Sequence, residues 1–320
     1  MTNSSSERAV AESEALLAWA REVGLAGDAR EERRIAAMRL EVLAEGALPR
    51  GDAADVALTT RWAAFICWVD DHIDRRGLGS APGEVERFAA PLRQVLAPAG
   101  GADSAVSAPH AVVLAGLWER TAARMSARWR ERFAADYNDF LDACAEEVAV
   151  RRAGTRLPLT AYVRLRRRTI TLLPMLDVLE HTGHAPLVAA PRVNAQVRDL
   201  RWAVADVAGW ANDLASQADD AAVGQDNLVT VLARTHACST ARAREHAAAM
   251  IARRRSGAAA TAAALRGDCG LPPERAEQLR RYVDLVETFM AATLQWFIST
   301  GRFTPDTRAH TPNSPAAPRP

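Results

Sequence analysis

The chain has 320 residues, of which 49% are hydrophobic and 25% are charged, and its formal net charge is +1. This balance is typical of a globular protein long enough to bury a core, and it excludes a disordered or fibrous chain. Without a basic field, no nucleic-acid partner is expected. All 40 basic residues are arginine, so lysine-centred chemistry is excluded and any bound phosphate must be held by arginine.

The four cysteines lie far apart and form no CxxC pair, which favours free thiols over a zinc site or a disulfide framework. The N-terminus lacks the basic-then-apolar pattern of a signal peptide. The longest clearly apolar run, 63–69, is too short to span a membrane. We therefore expect a cytoplasmic protein without stable membrane insertion.

Helix-forming residues dominate the chain, and runs of β-branched residues with a period of two are missing. The predicted helices, in chain order, are 6–23, 29–45, 52–74, 84–96, 110–126, 127–152, 160–182, 191–222, 228–235, 240–265 and 272–300. Pro174 predicts a kink within 160–182. We expect one all-α domain spanning 6–303, with disordered termini at 1–5 and at the Pro- and Thr-rich segment 304–320.

Three carboxylates lie close together at the end of predicted helix 52–74. Asp70 and Asp74 share a helix face, and Asp71 lies beside them. Carboxylates at a helix C-terminus repel the helix dipole and one another, so they do not serve helix stability. Mg²⁺, which prefers a few carboxylates together with water and phosphate, would relieve that repulsion. The alternative is a solvated helix end.

A second set of oxygen donors recurs every four residues within predicted helix 191–222. Asn212, Ser216 and Asp220 drift only about 80° around a helix, so an amide, a hydroxyl and a carboxylate oxygen point the same way. Such a low ligand charge suits a hard cation whose coordination is completed by phosphate. The alternative, a polar stripe on a surface helix, is weakened by the apolar residues that precede the set.

Arginine occupies four of the five positions from Arg164 to Arg168. A solvated face or a nucleic-acid patch is the ordinary interpretation of such a run, although the neutral net charge and the lack of interleaved aromatic residues weaken the second. One of these arginines could instead face inward and bind a diphosphate. Arg302, after the last predicted helix, could do the same or could cap that helix.

In combination, the two oxygen-donor motifs resemble those of bacterial class I terpene synthases, and the resemblance extends over about 39–303. The segment DDHID at 70–74 is similar to the DDxxD metal motif of that family. The segment NDLASQADD at 212–220 is similar to its NDxxSxxxE motif, with Asp220 in the place of Glu.

The arginines fit the same resemblance. Arg166 stands 46 residues before the second metal motif, where the family has its diphosphate-sensing arginine. Thr169 and Ile170 then fall where it has the linker and effector residues of a helix break. The segment 296–303 fits the W-x5-R-Y ending, which makes Arg302 the second diphosphate-binding arginine.

The resemblance implies a single-domain, all-α class I terpenoid synthase bundle with a central apolar cavity and the metal motifs at its mouth. It implies that Mg²⁺, as three ions, assists the ionisation of a linear isoprenyl diphosphate. The carbocation then cyclises to a terpene hydrocarbon or alcohol, and diphosphate is released. Farnesyl diphosphate is the expected substrate, with geranylgeranyl and geranyl diphosphate as alternatives. A homodimer is common in the family.

The resemblance also implies roles for individual residues. The implied metal ligands are Asp70, Asp71, Asp74, Asn212, Ser216 and Asp220. The implied catalytic residues are Arg166, Thr169, Ile170 and Arg302, and the candidate cavity walls are Phe65, Ile170, Met175, Trp202 and Trp296. For each cavity wall, ordinary core packing is the alternative.

Several positions depart from the family pattern. Asp220 is shorter than Glu, Asp219 stands where many relatives carry a basic residue, and Phe303 cannot donate the hydrogen bond of a tyrosine. Ile66 and Cys67, one turn before the first motif, are aromatic in many relatives. These departures predict a repacked site.

Two other functions are compatible with an all-α chain. A chain-elongating prenyltransferase would need a second aspartate-rich motif and basic residues for a second diphosphate, whereas the second motif here is based on Asn and Ser. A non-catalytic helical interaction protein would carry the acidic clusters as surface features, and chelation would not affect its binding.

Overall fold

The computed structural model describes residues 2–75, 78, 81, 83–97, 107–187, 190–222 and 225–301, with the backbone alone at 2–7, 74 and 75. Within these ranges the chain forms thirteen helices and no strand, which confirms the predicted all-α class. The helices are α1 Thr2–Glu22, α2 Ala29–Met38, α3 Leu40–Ala47, α4 Ala53–Arg75, α5 Glu84–Leu96, α6 Pro109–Ala122, α7 Ala127–Arg152, α8 Leu159–Thr169, α9 Leu172–Thr182, α10 Asn194–Ala222, α11 Leu228–Thr235, α12 Thr240–Arg266 and α13 Pro273–Ser299. None of the helices in these ranges combines the length and apolarity needed to cross a lipid bilayer.

The chain termini were predicted to be disordered tails. Helix α1 begins at Thr2, four residues before the predicted start at Ser6. The predicted tail 304–320 lies outside the described residues.

The predicted helix 29–45 is in fact two helices, α2 and α3. Arg39 separates them in a left-handed conformation, with φ 52°. The carbonyl oxygen of Met38 accepts hydrogen bonds from Trp296 Nε1 at 2.6 Å and Thr300 Oγ1 at 2.9 Å, at the end of α13. Because α13 satisfies this carbonyl, the chain can turn without leaving a buried acceptor unpaired.

The predicted helix 160–182 is also two helices, α8 and α9, and the expected kink is a full break. Pro174 has no N–H to offer the Ile170 carbonyl, and in a continuous helix its ring would clash with that carbonyl. The chain breaks at Ile170 and Thr171, where Thr171 has φ 62°. The hydroxyl of Thr171 donates to the carbonyl oxygen of Thr169 at 3.1 Å and stabilises the break.

Helix α10 is the central element, because it packs against α8, α9, α11, α12 and α13. A small apolar cluster joins α8, α10, α11 and α12 and contains Tyr162, Trp210 and Leu228. The main core fills the rest of the bundle. We call the face of α10 that carries Asn212, Ser216 and Asp220 the donor face. The small cluster holds the run of arginines on α8 against this face, and it therefore positions the candidate site.

A buried ion cluster joins α7, α9 and α10 about 16 Å along α10 from the donor face. Arg201 lies 2.7 Å from Asp136 and 2.9 Å from Asp177, and Arg132 lies 2.6 Å from Glu180. Burial raises the pKa of Asp136 to about 6, although Arg201 opposes the shift. Three carboxylates face two guanidinium groups, so each guanidinium is needed to balance the buried charge.

Replacing Arg201 by methionine should lower the free energy of unfolding by about 3–5 kcal/mol, because the change leaves carboxylates buried without their partner. Urea denaturation at pH 7.5 measures the effect. The matched control is Arg242→Met on α12, which removes an exposed ion pair with Glu245 and should leave the midpoint unchanged. A parental midpoint for Arg201→Met would contradict the structural role of the cluster.

Candidate metal and diphosphate site

The three predicted oxygen donors of α10 lie on one side of that helix. Ser216 Oγ donates a hydrogen bond to Asp220 Oδ2 at 2.7 Å, and Asn227 Nδ2 donates to the same oxygen at 2.6 Å. Burial raises the pKa of Asp220, and these two hydrogen bonds oppose that shift. The Asp220 carboxylate, which is shorter than the Glu of the family motif, thus reaches Ser216 and Asn227. Asn212 lies one turn before Ser216 on the helix.

Asn227 is a site residue that sequence reasoning missed. It caps α11, where its Oδ1 accepts from the backbone N–H of Val229 at 2.9 Å, and its amide also donates to the carbonyl oxygen of Asp213 at 2.9 Å. One side chain therefore ties the start of α11 to Asp220 and to α10. An Asn directly before a Leu-Val-Thr run is a typical N-cap signal, but its second partner depends on how the chain folds back.

Arg166 reaches from α8 to α10. Its Nε donates to Asp213 Oδ1 at 2.8 Å, its Nη2 to Asn212 Oδ1 at 2.8 Å, and its Nη1 to Thr169 Oγ1 at 3.3 Å. Burial by itself would lower the pKa of Arg166, but the neighbouring Asp213 raises it, and the net direction is upward. A fixed positive charge therefore lies directly against one predicted metal ligand.

Asp213 holds that guanidinium in place and is itself saturated with hydrogen bonds. Its Oδ2 accepts from the Tyr162 hydroxyl at 2.6 Å and from the backbone N–H of Leu228 at 3.1 Å. Burial and the adjacent carboxylate raise the pKa of Tyr162, so the phenol stays protonated and keeps donating. Asp213 would thus remain anchored if Arg166 moved.

The structure separates the four clustered arginines. Arg164 is exposed, Arg167 pairs with Asp206 through contacts of 2.7 and 2.9 Å, and Arg168 pairs with two carboxylates of α7. Only Arg166 among these four contacts Asn212 in the described structure. This arrangement agrees with the position that the spacing selected.

Asp70, at the end of α4, interacts electrostatically with this group. The charge of Asp70 raises the pKa of Arg166 and of Glu147, which places the three groups within electrostatic reach of one another. Glu147 is a partly exposed residue of α7, and burial raises its pKa to about 7, against the opposing effects of Arg166 and Arg151. Sequence reasoning missed Glu147, because nothing in its local pattern distinguishes it from other carboxylates of α7.

Asp71, another predicted member of the site, has a different partner. The carboxylate of Asp71 forms an ion pair with Arg34 of α2, because consecutive helical residues lie about 100° apart. The expectation that Asp71 binds a metal stays a prediction from the motif. The side chain of Asp74 and all of Arg302 lie outside the described residues.

The candidate cavity walls divide into two groups. Phe65, Met175 and Trp296 belong to the main core. Trp202, by contrast, has the guanidinium groups of Arg167 at 4.7 Å and Arg198 at 5.1 Å from its ring centroid. Its ring therefore serves cation–π contacts, and its expected place in the cavity wall stays a prediction. Ile170 is half-buried at the helix break.

Gly209 lets Arg166 pack closely against α10. A methyl group added at this position would lie 3.3 Å from Arg166 Cγ, closer than an ordinary contact. Gly209→Ala should lower kcat/KM about tenfold, since a displacement costing about 1.4 kcal/mol corresponds to a factor of ten. Steady-state kinetics with the proposed substrate measure the effect.

Gly257→Ala is the matched control for that change. Gly257 lies in α12, and a methyl group added there has no neighbour within 4 Å. Both substitutions gain helix propensity, so both proteins should be at least as stable as the parent unless crowding offsets the gain. Equal kinetics for the two variants would show that Arg166 does not depend on the close approach.

The donor chemistry fits a hard divalent cation. The α10 face offers an amide, a hydroxyl and a carboxylate oxygen, which is an oxygen set of low charge that suits Mg²⁺ together with phosphate. Among the described residues, no group of three or more His, Cys, Asp or Glu is arranged to hold a metal.

Comparisons with known proteins agree with this geometry. A family model described as terpene synthase family 2, C-terminal metal binding, matches residues 61–256. Pristinol synthase of Streptomyces pristinaespiralis is 29% identical over 293 residues, which cover 90% of this chain and 78% of that protein. (−)-β-Caryophyllene synthase of Saccharothrix espanaensis is 27% identical over 299 residues, which cover 91% and 83%.

A solved structure supports the same relationship. Germacradien-4-ol synthase from Streptomyces citricolor superimposes with a TM-score of 0.76 at 26% identity, covering 91% of this chain and 93% of that one. The family match extends over more than half of the chain and includes the end of α4, the Arg166 region and the α10 donor face. The chain therefore belongs to the terpene synthase family, and it is a divalent-metal-dependent class I terpene synthase.

Proposed function

We propose that this terpene synthase cyclises farnesyl diphosphate to a sesquiterpene hydrocarbon or alcohol in a reaction that requires Mg²⁺. The observation that carries the proposal is the direct contact of the Arg166 guanidinium with Asn212 on the donor face of α10. This contact brings a diphosphate-binding group and a cation-binding group to one place. The relative from Saccharothrix espanaensis is named for cyclising (2E,6E)-farnesyl diphosphate, which supports the choice of chain length.

The proposed ligands of three Mg²⁺ ions are Asp70 on α4 and Asn212, Ser216 and Asp220 on α10. Asp74 joins them by its position in the motif, as Arg302 joins Arg166 in binding diphosphate. Bound Mg²⁺ would neutralise the diphosphate and so make it a better leaving group. The protein itself supplies the fixed oxygens and guanidinium groups that orient the substrate.

Arg166 has a second task in this proposal. Its Nη2 donates to Asn212 Oδ1, the same oxygen that would bind a cation. Because two positive charges at one oxygen repel each other, diphosphate should draw Arg166 away as Asn212 accepts the cation. Asp213 stays anchored by Tyr162 and Leu228 during this exchange, so the guanidinium moves without disturbing α10.

The proposed reaction depends on the charge of the leaving diphosphate and on the exclusion of water from the cation. The bond between C1 of the isoprenyl chain and the diphosphate oxygen breaks, and both electrons leave with diphosphate. The allylic cation is held by apolar walls, for which we propose Phe65, Ile170, Met175 and Trp296. Exclusion of water allows ring closure before the cation loses a proton or captures one water. Thr169 positions Arg166 at the helix break through its hydroxyl.

The proposal extends to the organisation of the protein. We place the catalytic domain at residues 6–303 and a disordered segment at 304–320. We also propose that the enzyme acts in the cytoplasm, with a homodimer as its assembly. Size-exclusion chromatography with light scattering tests the assembly, and a monomeric mass at micromolar concentration would refute it.

Product analysis tests the proposed reaction. The purified protein is incubated with Mg²⁺ and, separately, with geranyl, farnesyl or geranylgeranyl diphosphate, and hexane extracts are examined by gas chromatography–mass spectrometry. We expect cyclic products from farnesyl diphosphate and none in excess EDTA. Cyclisation of another substrate alone would refute the chain length, and full turnover in EDTA would refute the metal role. Longer prenyl products after addition of isopentenyl diphosphate would favour the prenyltransferase alternative.

A further inference from the structure

Helix α2 contacts both the end of α4, which carries the aspartate motif, and the end of α13, which precedes Arg302. Its C-terminal end is bound by the last turn of α13, where Trp296 Nε1 and Thr300 Oγ1 donate to the carbonyl oxygen of Met38. The backbone N–H of Gly301 donates to the carbonyl oxygen of Ala37 at 2.8 Å. These contacts end at the residue directly before Arg302.

One turn earlier on the same helix, Arg34 forms an ion pair with Asp71 at the end of α4. The side chain of Asp71 is 7% exposed and that of Arg34 is 22% exposed, so the pair is sheltered from water. The pocket that contains the pair is lined mainly by apolar side chains, namely Leu25, Ile35, Met38, Ala64 and Trp68, together with Glu31 and His72. In such surroundings an ion pair is stronger than at an open surface, and loss of one partner is costly.

Asp70 and Asp71 leave α4 in different directions because they are consecutive residues of one helix. Successive residues of a helix are rotated by about 100°, so fixing Asp71 toward α2 turns the side chain of Asp70 toward another part of the bundle. That other part contains Arg166 and Glu147, whose pKa values Asp70 raises. Asp71 therefore holds the end of α4 against α2, and Asp70 faces the candidate metal site.

We propose that Arg34 is a positioning residue for the metal site, and that it acts by orienting Asp70 through Asp71. Helix α2 then links the aspartate motif of α4 to the end of α13, because it binds both. This inference rests on the proposed function, since it takes Asp70 as a ligand of Mg²⁺. It assigns Asp71 an ionic partner within the protein in place of a cation.

The test compares Arg34→Met with Arg34→Lys, which keeps the charge, and with Arg33→Met, which changes an exposed neighbour on the same helix. The first readout is the rise in Tm that Mg²⁺ produces in the presence of inorganic diphosphate. We measure the Mg²⁺ concentration that gives half of the rise seen at saturating Mg²⁺. The second is the Mg²⁺ concentration for half-maximal turnover of farnesyl diphosphate. Circular dichroism checks that each variant is folded.

We expect Arg34→Met to raise both Mg²⁺ concentrations about tenfold, Arg34→Lys to restore most of the difference, and Arg33→Met to match the parent. Asp71→Asn should resemble Arg34→Met, and the double variant should be no worse than either single one, because both changes break the same pair. Hydrogen–deuterium exchange of the metal-free protein should show faster exchange in α2 for Arg34→Met than for Arg33→Met.

Several results would overturn the inference. A folded Arg34→Met protein with parental Mg²⁺ dependence would do so, as would an Asp71→Asn protein impaired much more than Arg34→Met, which would make Asp71 a metal ligand.

The stabilisation assay requires no turnover. A parent that binds Mg²⁺ and diphosphate but does not cyclise farnesyl diphosphate would therefore refute the proposed substrate, while the role of Arg34 would still be decided. A parent that is not stabilised would refute the metal site and the role of Arg34 together.

Discussion

Arg166→Ala should reduce the rate of diphosphate release by about 10²–10³-fold, the range typical for removal of one preorganised donor to a developing negative charge. Arg166 contacts Asn212 and Asp213 through two separate nitrogen atoms, so its guanidinium is already oriented before the leaving group develops charge. Fold should survive, because Asp213 keeps its hydrogen bonds from Tyr162 and Leu228. Single-turnover release of diphosphate from farnesyl diphosphate measures the effect.

Arg164→Ala is the control for that experiment, since Arg164 lies on the same helix and is exposed. Its rate should equal that of the parent. Arg168→Ala should fall between the two, because Arg168 ties α8 to α7 through Asp139 and Glu146 without contacting α10 in the described structure. Equal losses from all three substitutions would mean that the run of arginines acts only through the stability of α8.

Asp220→Ala should also lose about 100-fold or more in turnover, because it removes the carboxylate of the α10 donor set.

Asp220→Glu distinguishes two explanations for the shorter side chain. Glu reaches roughly 1.5 Å further, one C–C step. Asp220 already lies 2.7 Å from Ser216 Oγ and 2.6 Å from Asn227 Nδ2, so the site is built around the short carboxylate. A longer one should be crowded, and the Mg²⁺ concentration for half-maximal rate should rise several-fold, since Mg²⁺ tolerates little error around its distances of ~2.1 Å.

A Mg²⁺ titration of turnover in the parent and in the two Asp220 variants measures this effect. Gln217→Ala serves as the control, because its position is rotated about 100° from Ser216 on the same helix. A lower Mg²⁺ requirement for Asp220→Glu would show that the short carboxylate holds the metal weakly. If Asp220→Ala titrates like the parent, Asp220 is not a ligand and the second metal motif is misassigned.

The structure shows the neighbours of Asp220, one of the positions that depart from the family pattern. Asn227 joins the start of α11 to α10, since its Nδ2 donates to Asp220 Oδ2 at 2.6 Å and to the carbonyl oxygen of Asp213 at 2.9 Å. Trp202 lies against the guanidinium groups of Arg167 and Arg198. The repacking expected from the unusual residues of the motifs stays a prediction.

The sequence by itself determined the helical class, most helix ends and the residues that share a face. These properties depend on periods of 3.6 residues and on caps and prolines, which act over a few neighbouring positions. The spacing of Asn212, Ser216 and Asp220 is of this kind. Asp52 directly before α4 is another case, because Asp favours N-caps, and its side chain accepts from the backbone N–H of Asp55 at 2.8 Å. The order of the motifs along the chain was sufficient to indicate the family.

Only the tertiary structure decided which distant groups meet. Arg34 and Asp71 belong to different helices, as do Glu147 and Arg166, and no local period relates such positions. The same holds for the break at Arg39, which depends on donors at the end of α13. A helix face fixes a direction, but the partner that a charged side chain finds there depends on how the helices pack. Burial then makes that partner decisive, because a charge removed from water must be balanced nearby.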